Sequence, residues 1–283
     1  MSAPSVVIVN YNGGTHLQRC LASVAAHAPA SSIIVVDNAS TDGSGAIAAR
    51  APGVRLIGNS RNVGFAAAVN QGVAAAPPGG SVLLLNPDCE ITSRAIEVLA
   101  GELDAQPACA IAAPTVLDED GSVQGSVRGD PTMLTGLFGR TTLLTRLFPK
   151  AALAARNVQR YTSEESRSVD WVSGACMLVR RAAFEAVGGF DERYFLYWED
   201  ADLCRRLRAA GHTIRFVPRA TVVHAGGRSS ESARTLSVRA FHESAYLYYR
   251  THVARNAVTR AVARILLALR LQWKLAALRT ARR

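Results

Sequence analysis

Short apolar runs rich in β-branched residues alternate with helical segments along the first third of the chain. Apolar residues of the segments between the runs recur at helical spacing, as in Leu17, Leu21 and Val24. Such alternation is typical of βαβ units, which build a mostly parallel central sheet flanked by helices. We therefore predict an α/β fold. Its first four predicted strands are SVVIVNY, SIIVVDN, VRLIGN and SVLLLNPD.

Polar residues follow three of these predicted strands. Asn10 and Tyr11 follow the first strand, Asp37 ends the second, and Asn86 and Asp88 follow the fourth. Ligands of parallel α/β sheets bind beyond the carboxyl ends of the strands, so these side chains are candidates for a ligand site. Asp and Asn are also common turn residues, and taken one at a time Asp37 and Asp88 are better explained as turn residues.

Two further segments carry candidate binding residues. NSRNVGFAAAVNQG places Arg61, Asn62 and Gly64 at the mouth of a predicted helix, which can receive a phosphate, although Asn62 could serve only as a cap. His224 follows a later predicted strand and precedes two glycines. A lone histidine is usually structural, but a histidine can join a carboxylate in binding a metal. Asp88, taken by itself, could hold a divalent metal with phosphate oxygens and waters, although a lone carboxylate at a strand end is most often a turn residue.

Several enzyme classes are disfavoured because their motifs are missing. The sequence has no G-x-x-x-x-G-K-[ST], no G-x-S-x-G, and NYNGGTHL in place of a G-x-G-x-x-G after the first strand. The five cysteines form no C-x-x-C, which indicates a reducing compartment and neither a disulfide framework nor a zinc site. The N-terminus lacks a basic region and a cleavage site, so we expect no signal peptide.

The second half of the chain is patterned less regularly. Residues 121–167 show little periodicity, and we expect a mobile loop region with short helices there. VDWVSGACMLVRR then predicts a strand or a strand pair, and TIRFVPRATVVH predicts two short strands around Pro218. RAAFEAVGG and EDADLCRRLRAAG predict helices between them.

The stretch FLYWEDADLCRRLRAAGH raises a choice between two explanations of its acids. Glu199, Asp200 and Asp202 stand at the start of the predicted helix, and arginines stand towards its end. A helix macrodipole favours that arrangement without any further function. A carboxylate at such a position can equally act as a general base. The stretch alone leaves both explanations open.

The net charge of +10 is concentrated at the C-terminal end. Nine of the 32 basic residues follow Glu243 and no acid does, whereas the other 23 basic residues are balanced by 22 acids. We expect residues 237–283 to form an amphipathic basic helical tail behind a domain of residues 1–236. The tail would dock on an anionic membrane surface or pack on the domain or a partner, and its arginines exclude a membrane span. One predicted helical face carries Val258, Val262, Ile265, Leu266, Leu269 and Trp273, opposite Arg260, Arg264, Arg270 and Lys274.

Six separated blocks, in sequence order, resemble family 2 glycosyltransferases, and more narrowly the bacterial rhamnosyltransferase branch of cell-wall and O-antigen synthesis. The resemblance implies a GT-A fold, with a Rossmann-like, mostly parallel central sheet, for the domain of residues 1–236. The blocks are VVIVNYN, VVDNASTDGS, RNVGFAAAVNQG, LLLNPD, WVSGACMLVRRAAFEAVGGFDERYFLYWEDADLCRRLRAAG and VVHAGGRSS.

The resemblance also implies roles on the donor side of the site. Asp37 matches the aspartate that hydrogen-bonds the nucleobase, and Asn10 and Tyr11 lie at the strand end that lines base and ribose. Arg61, Asn62 and Gly64 match the segment beside the nucleotide, and Asn86 opens the D-x-D-like motif that Asp88 closes. Asp88 is the expected ligand of Mg²⁺ or Mn²⁺, and His224 matches a histidine that completes the metal shell in some relatives.

On the acceptor side, Trp171 and Gly174 match the segment that meets the acceptor, and Asp200 matches the catalytic base. Glu199 either orients the acceptor or belongs only to the helix start. The ring of Trp198, like that of Trp171, either packs on a sugar face or fills the core.

These roles imply an inverting, metal-dependent transferase. It would move L-rhamnose from dTDP-L-rhamnose to a hydroxyl of a glycan or of a polyprenyl-diphosphate-linked sugar, from the cytoplasmic face of the membrane. Alternatives are a donor linked to UDP or GDP, and a non-catalytic nucleotide-binding scaffold, which only Asn86 favours. A nucleic-acid binder is disfavoured because the domain is nearly neutral and apolar residues interrupt the basic tail. The sequence is compatible with an oligomer.

Overall fold

The computed structural model describes residues 3–132, 163–225 and 234–280. Its strands are β1 Ser5–Asn10, β2 Ile33–Asp37, β3 Val54–Gly58, β4 Ser81–Leu85, β5 Cys89–Ile91, β6 Cys109–Leu117, β7 Val127–Arg128, β8 Arg167–Val169, β9 Trp171–Val172, β10 Cys176–Arg180 and β11 Thr213–His224. Its helices are α1 Gly14–His27, α2 Ser44–Arg50, α3 Phe65–Ala75, α4 Ala95–Ala105, α5 Arg181–Ala186, α6 Glu199–Ala209, α7 Arg234–Tyr248 and α8 Ala257–Thr280. A π-helical turn, Tyr249–Val253, lies between the last two helices. The strand–helix alternation predicted for the first third of the chain is confirmed.

Nine strands form one sheet in the order β3-β2-β1-β4-β10-β6-β11-β5, with β8 also paired to β11. Strands β1 to β4 are parallel, β6 and β11 run in the same direction, and β5, β8 and β10 run against them. The sheet is therefore mostly parallel, as predicted. Asn10 pairs with Asp37 across β1 and β2, so the polar strand ends lie side by side.

The two faces of this sheet carry separate halves of the core. Successive residues of β1 alternate between them, as period-two side chains must. Val7 joins a cluster that includes residues of α3, α5 and α6, whereas Val6 and Ile8 join a cluster that includes residues of α1 and α4. Because both faces of the sheet are covered, β1 is a continuous apolar run, and polar side chains of a site can lie only at its end.

Strand β11 corrects the prediction of two short strands around Pro218. It runs unbroken from Thr213 to His224. Its register with β6 shifts between Val217 and Thr221, so Pro218 falls in a bulge where the ladder needs no N–H from it. The side-chain hydroxyl of Thr115 donates to the Pro218 carbonyl at 3.2 Å and ties the bulge to β6.

Most of the loop region predicted at residues 121–167 lies outside the described residues, so its mobility and its short helices stay predictions. At its described ends, β7 pairs antiparallel with β9 in a small second sheet. Of the strand or strand pair predicted in VDWVSGACMLVRR, two strands are present, β9 and β10, which lie in different sheets and do not pair with each other.

The C-terminal segment is helical, as expected. Helix α7 packs on the loop before α6, where the Ser244 hydroxyl donates to the Leu196 carbonyl at 2.9 Å. Helix α8 lies against α7, with Arg264 over the ring of Tyr246 and Arg270 over that of Phe241. Within the described ranges, no helix is both long enough and apolar enough to cross a membrane.

Candidate active site

A cleft opens where β1 and β4 end. Strand ends, the start of α3, the segment before β10 and the first turn of α6 all contribute to its lining. Side chains far apart in the sequence therefore face one cavity. Nine residues predicted for the site belong to this lining: Tyr11, Asn62, Gly64, Asn86, Asp88, Gly174, Glu199, Asp200 and His224.

Asn10 and Asp37 lie beside the cleft and form a rigid pair. The side chain of Asn10 is fully buried, and its Nδ2 donates to Asp37 Oδ1 at 2.7 Å. Asn10 Oδ1 accepts the N–H of Gly13 at 3.2 Å, and Asp37 Oδ2 accepts that of Ser40 at 3.1 Å. Asn10 thus fixes the direction of the Asp37 carboxylate, and it is the carboxylate that a ligand could reach.

The turn before α3 joins the strand ends to the loop before α6. Asn62 Oδ1 accepts the N–H of Gly64 at 2.9 Å, and Asn38 Nδ2 donates to the Gly64 carbonyl at 3.0 Å. The N–H of Phe65 donates to the Phe195 carbonyl at 2.7 Å. Gly64 has a φ of +92°, and a Cβ there would lie 2.7 Å from the Phe195 carbonyl oxygen, so only glycine fits this contact.

Asp88 and His224 face each other in the cleft with an orientation set by Gln124. The Nε2 of Gln124 donates to Asp118 Oδ1 at 2.7 Å and to the His224 carbonyl at 2.9 Å. Gln124 Oε1 must therefore accept the proton on His224 Nδ1, 2.9 Å away. The other ring nitrogen, Nε2, lies 3.2 Å from Asp88 Oδ1.

A carboxylate oxygen and an imidazole nitrogen at that separation can bind one cation together. Metal-bound histidines are commonly oriented through their other ring nitrogen, as Gln124 does for His224. Cys89 lies in the same cluster, in which the possible ligand atoms are within 4.8 Å of one another. Its thiol donates to the Ala175 carbonyl, and burial raises its pKa well above the ordinary value. The remaining carboxylate and imidazole suit Mg²⁺ or Mn²⁺.

Glu199 and Asp200 begin α6, where the positive end of the helix dipole favours acids. Asp200 Oδ2 accepts the N–H of Gly174 at 3.0 Å, and its Oδ1 accepts that of Ala201 at 2.8 Å. Glu199 is 5% exposed, and within the described part of the chain its buried Oε2 has no hydrogen-bond partner. Asp200 therefore has a hydrogen-bond donor on each carboxyl oxygen, whereas Glu199 has none on Oε2 from that part of the chain.

The pKa values of both acids are raised. Withdrawal from water raises the pKa of Asp200, and the Gly174 and Ala201 N–H groups and the charge of Arg128 oppose that rise. Burial raises the pKa of Glu199 well above the ordinary value, and the negative charge of Asp200 raises it further. A carboxylate with a raised pKa is a stronger proton acceptor, which is the property a general base needs.

The two residues before these acids have strained backbones. Tyr197 and Trp198 have φ values of +67° and +71°, which are costly for non-glycine residues. The Trp198 ring packs against those of Phe241, Tyr248 and Tyr249, with centroids 5.9, 5.2 and 5.8 Å away. Rings from the C-terminal segment thus hold the turn that presents Glu199 and Asp200.

Three other predicted site residues lie outside the lining of the cleft. Trp198 belongs to the aromatic cluster just described, and Arg61 is exposed. Trp171 is buried, donates from Nε1 to the Gly129 carbonyl at 2.9 Å, and carries the Arg128 guanidinium over its ring. These contacts hold the indole within the core, and its role towards an acceptor stays a prediction.

Sequence reasoning missed several residues that shape the site. Asn38 is among the polar strand ends expected at a ligand site, although no role was predicted for it, and it lines the cleft directly after Asp37. Gln124 and Arg128 lie in the poorly patterned middle of the chain, where nothing local marks them. Leu236, at the start of α7, lines the cleft from the segment predicted to be next to the tail.

Comparison with known sequences identifies similar proteins. The family model described as Glycosyl transferase family 2 matches residues 5–188, and that described as Glycosyl transferase family group 2 matches residues 147–279. A curated relative, the N-acetylglucosaminyl-diphospho-decaprenol L-rhamnosyltransferase of Mycobacterium tuberculosis, is 37% identical over 256 residues. The match covers 86% of this chain and 82% of the relative.

Two solved structures share the fold. The crystal structure of GalNAc-T7 with UDP, GalNAc and Mn²⁺ matches with a TM-score of 0.59 and 20% identity, over 88% of this chain and 50% of that chain. Mannosyltransferase PcManGT from Pyrobaculum calidifontis, in complex with GDP-Man and Mn²⁺, matches with a TM-score of 0.56 and 16% identity, over 97% and 72%. At these identities the likeness concerns the fold alone, and it confirms the α/β GT-A architecture.

Proposed function

The chain belongs to the family 2 glycosyltransferases, and from that membership we propose that it transfers L-rhamnose from dTDP-L-rhamnose to a sugar linked to polyprenyl diphosphate. The reaction inverts the anomeric carbon and depends on Mg²⁺ or Mn²⁺. The name of the Mycobacterium tuberculosis relative, which is a rhamnosyltransferase acting on a decaprenol-linked sugar, supports the choice of donor sugar and acceptor.

The observation that carries the proposal is that Asp88, His224 and Asp200 all line one cleft. Asp88 and His224 are the residues that would hold the metal. When bound, a divalent metal supplies positive charge that stabilises the departing diphosphate. Asp37, held by Asn10, would accept a hydrogen bond from the nucleobase beyond the end of β2.

Asp200 performs the proton transfer in this proposal. The acceptor hydroxyl is a poor nucleophile at neutral pH, and the Asp200 carboxylate takes its proton as the oxygen attacks the anomeric carbon. The bond from that carbon to the donor diphosphate breaks in the same displacement, so the carbon is inverted. The N–H groups of Gly174 and Ala201 hold the carboxylate in place without neutralising it.

A donor screen tests the proposal. Thermal shift and donor hydrolysis would be measured with dTDP-L-rhamnose, UDP-sugars and GDP-sugars, each with and without Mn²⁺. We expect dTDP-L-rhamnose with Mn²⁺ to stabilise the protein most. Stabilisation by UDP- or GDP-sugars alone would reject the rhamnosyl assignment, and stabilisation without any transfer to acceptor would favour a non-catalytic scaffold.

We also propose that α8 attaches the protein to an anionic membrane. Its apolar face is exposed, with Val258, Leu269 and Trp273 at 71%, 64% and 65% of their full accessibility. Arg264 and Arg270 are meanwhile drawn onto rings of α7. An exposed apolar stripe on a helix with no acids suits the interface of a bilayer with negative headgroups, which would bring the cleft near a lipid-linked acceptor.

Flotation with anionic vesicles tests the attachment. Replacing Ile265, Leu269 and Trp273 together by serine in the full chain should abolish flotation, because the apolar area is lost. Val123→Ser is the matched control, since Val123 is 55% exposed but lies outside α8. Flotation of the triple variant equal to wild type would exclude this face as the membrane contact.

A further inference from the structure

Glu199 is a buried carboxyl that has no role in the proposed reaction as described so far. Its side chain lines the cleft yet is only 5% exposed. Among the described residues, no hydrogen-bond donor reaches its Oε2. Asp200, one position later, has a backbone N–H on each of its carboxyl oxygens.

An ionised carboxylate in that position would be costly. Burying a charge without a partner costs far more free energy than burying a neutral carboxyl, which has an O–H to donate. The charges that act on Glu199 are those of Asp200 and Asp202 on its own helix, and both are negative. Arg128, from β7, acts on Asp200 instead. The negative charges and the lack of a donor at Oε2 within the described ranges, together with burial, outweigh the backbone N–H of Glu199 itself, which acts in the opposite direction, and they favour a proton on Glu199.

Building on the proposed function, we propose that Glu199 works as a neutral carboxylic acid that donates its O–H to an oxygen of the acceptor sugar. It keeps its proton throughout the reaction, so the only proton transferred goes from the attacking hydroxyl to Asp200. A second negative charge beside Asp200 would raise the pKa of its carboxyl further. A neutral Glu199 adds no such charge. In this proposal Glu199 donates a hydrogen bond and Asp200 accepts the proton.

Infrared spectroscopy of the full chain tests the protonation state without any need for activity. At neutral pH, the carbonyl stretch of a protonated carboxylic acid should be present in wild type and absent in Glu199→Gln. Glu97→Gln is the matched control, because Glu97 is fully exposed and Arg94 lowers the pKa of its carboxyl. A band that persists in Glu199→Gln and vanishes in Asp200→Asn would put the proton on the other acid and overturn the proposal.

Kinetics test the donated hydrogen bond. Glutamine also donates from a neutral group, so Glu199→Gln should stay within about tenfold of the wild-type kcat/KM, whereas Glu199→Ala should lose more than that, about the effect of losing a hydrogen bond to a polar group. Equal losses in both variants would contradict the proposal, as would a loss in Glu199→Gln as large as that in Asp200→Asn. If no variant and no wild type transfers sugar, the proposed function fails while the infrared result still decides the proton on Glu199.

Discussion

The two walls of the cleft hold their acidic groups by different means. On one wall, Asp88 and His224 come from the ends of strands, and side chains of Gln124 and Asp118 set the imidazole. On the other wall, Glu199 and Asp200 come from one helical turn, and backbone N–H groups set Asp200. The first arrangement brings a carboxylate oxygen and an imidazole nitrogen together, and the second gives two adjacent carboxyls different surroundings.

The difference shows that chemical role follows the hydrogen-bond environment more closely than residue type. Three of these four groups are carboxyls, yet each is suited to another task. Asp88 faces Nε2 of His224, Asp200 accepts two backbone N–H groups, and Glu199 has no donor among the described residues at its buried Oε2. Substitutions on the two walls should therefore have separable effects, on metal affinity for one wall and on proton transfer for the other.

The largest effect is expected on the helical wall. Asp200→Asn should lower kcat by about 10² to 10⁴, the usual contribution of a general base, because asparagine cannot take a proton. Donor and Mn²⁺ affinities, measured by calorimetry, should change little, since the strand-end wall is untouched. Asp104→Asn, at an exposed position of α4, is the control. Transfer at the wild-type rate by Asp200→Asn would remove this residue from the reaction.

A smaller effect, on metal affinity, is expected from removing the side chain that orients His224. Gln124→Leu should weaken Mn²⁺ binding by about 10- to 100-fold, the range found for partners that orient metal-bound histidines. Electron paramagnetic resonance of free Mn²⁺ measures this directly. Gln106→Leu, with an exposed side chain, is the matched control. Unchanged Mn²⁺ affinity in Gln124→Leu would show that the tautomer of His224 does not govern binding.

The contact between the turn before α3 and the loop before α6 can be tested through Gly64. Gly64→Ala should cost about 1–3 kcal/mol in the free energy of unfolding, because φ is +92° and the new Cβ would meet the Phe195 carbonyl. Gly121→Ala separates the two causes, since Gly121 has a φ of +81° with nothing within 4 Å of an added Cβ. Urea unfolding measures both. Equal losses would mean that the Phe195 contact adds nothing.

The smallest effect concerns stability against pH. The pKa of Glu199 is raised in the folded protein, so the folded state keeps a proton that the unfolded chain loses near the ordinary glutamate value. That contribution to stability is present at low pH and is lost as pH rises through the raised pKa. Glu199→Gln removes the dependence, so its stability relative to wild type should increase with pH in urea titrations.

Glu97 supplies a control of opposite sign for that measurement. Its pKa is lowered by Arg94, so its contribution is present above the ordinary glutamate value and is lost as pH falls. The stability of Glu97→Gln relative to wild type should therefore decrease as pH rises. A flat difference for Glu199→Gln would mean that Glu199 titrates alike in the folded and unfolded states.

Prediction from sequence succeeded where the signal was local. The apolar run of β1 and the helical spacing of Leu17, Leu21 and Val24 predicted elements that the structure confirms. It failed at Pro218, because a proline breaks a strand on average but not at a bulge whose register shift spares its missing N–H. It missed Gln124, because a glutamine in a turn-rich segment carries no sign of the histidine a hundred positions away that it orients.

The sequence by itself determined the α/β class, the polar strand ends, the acids at the start of α6 and the charge of the tail, since each depends on residues close together along the chain. Only the tertiary structure decided which acid is hydrogen-bonded, that Asp88 meets His224, and that rings of α7 hold Trp198. Those outcomes depend on burial and on donors supplied by distant segments. Burial and nearby hydrogen-bond donors set the free energy of a charged side chain, and the residues adjacent in sequence do not reveal either.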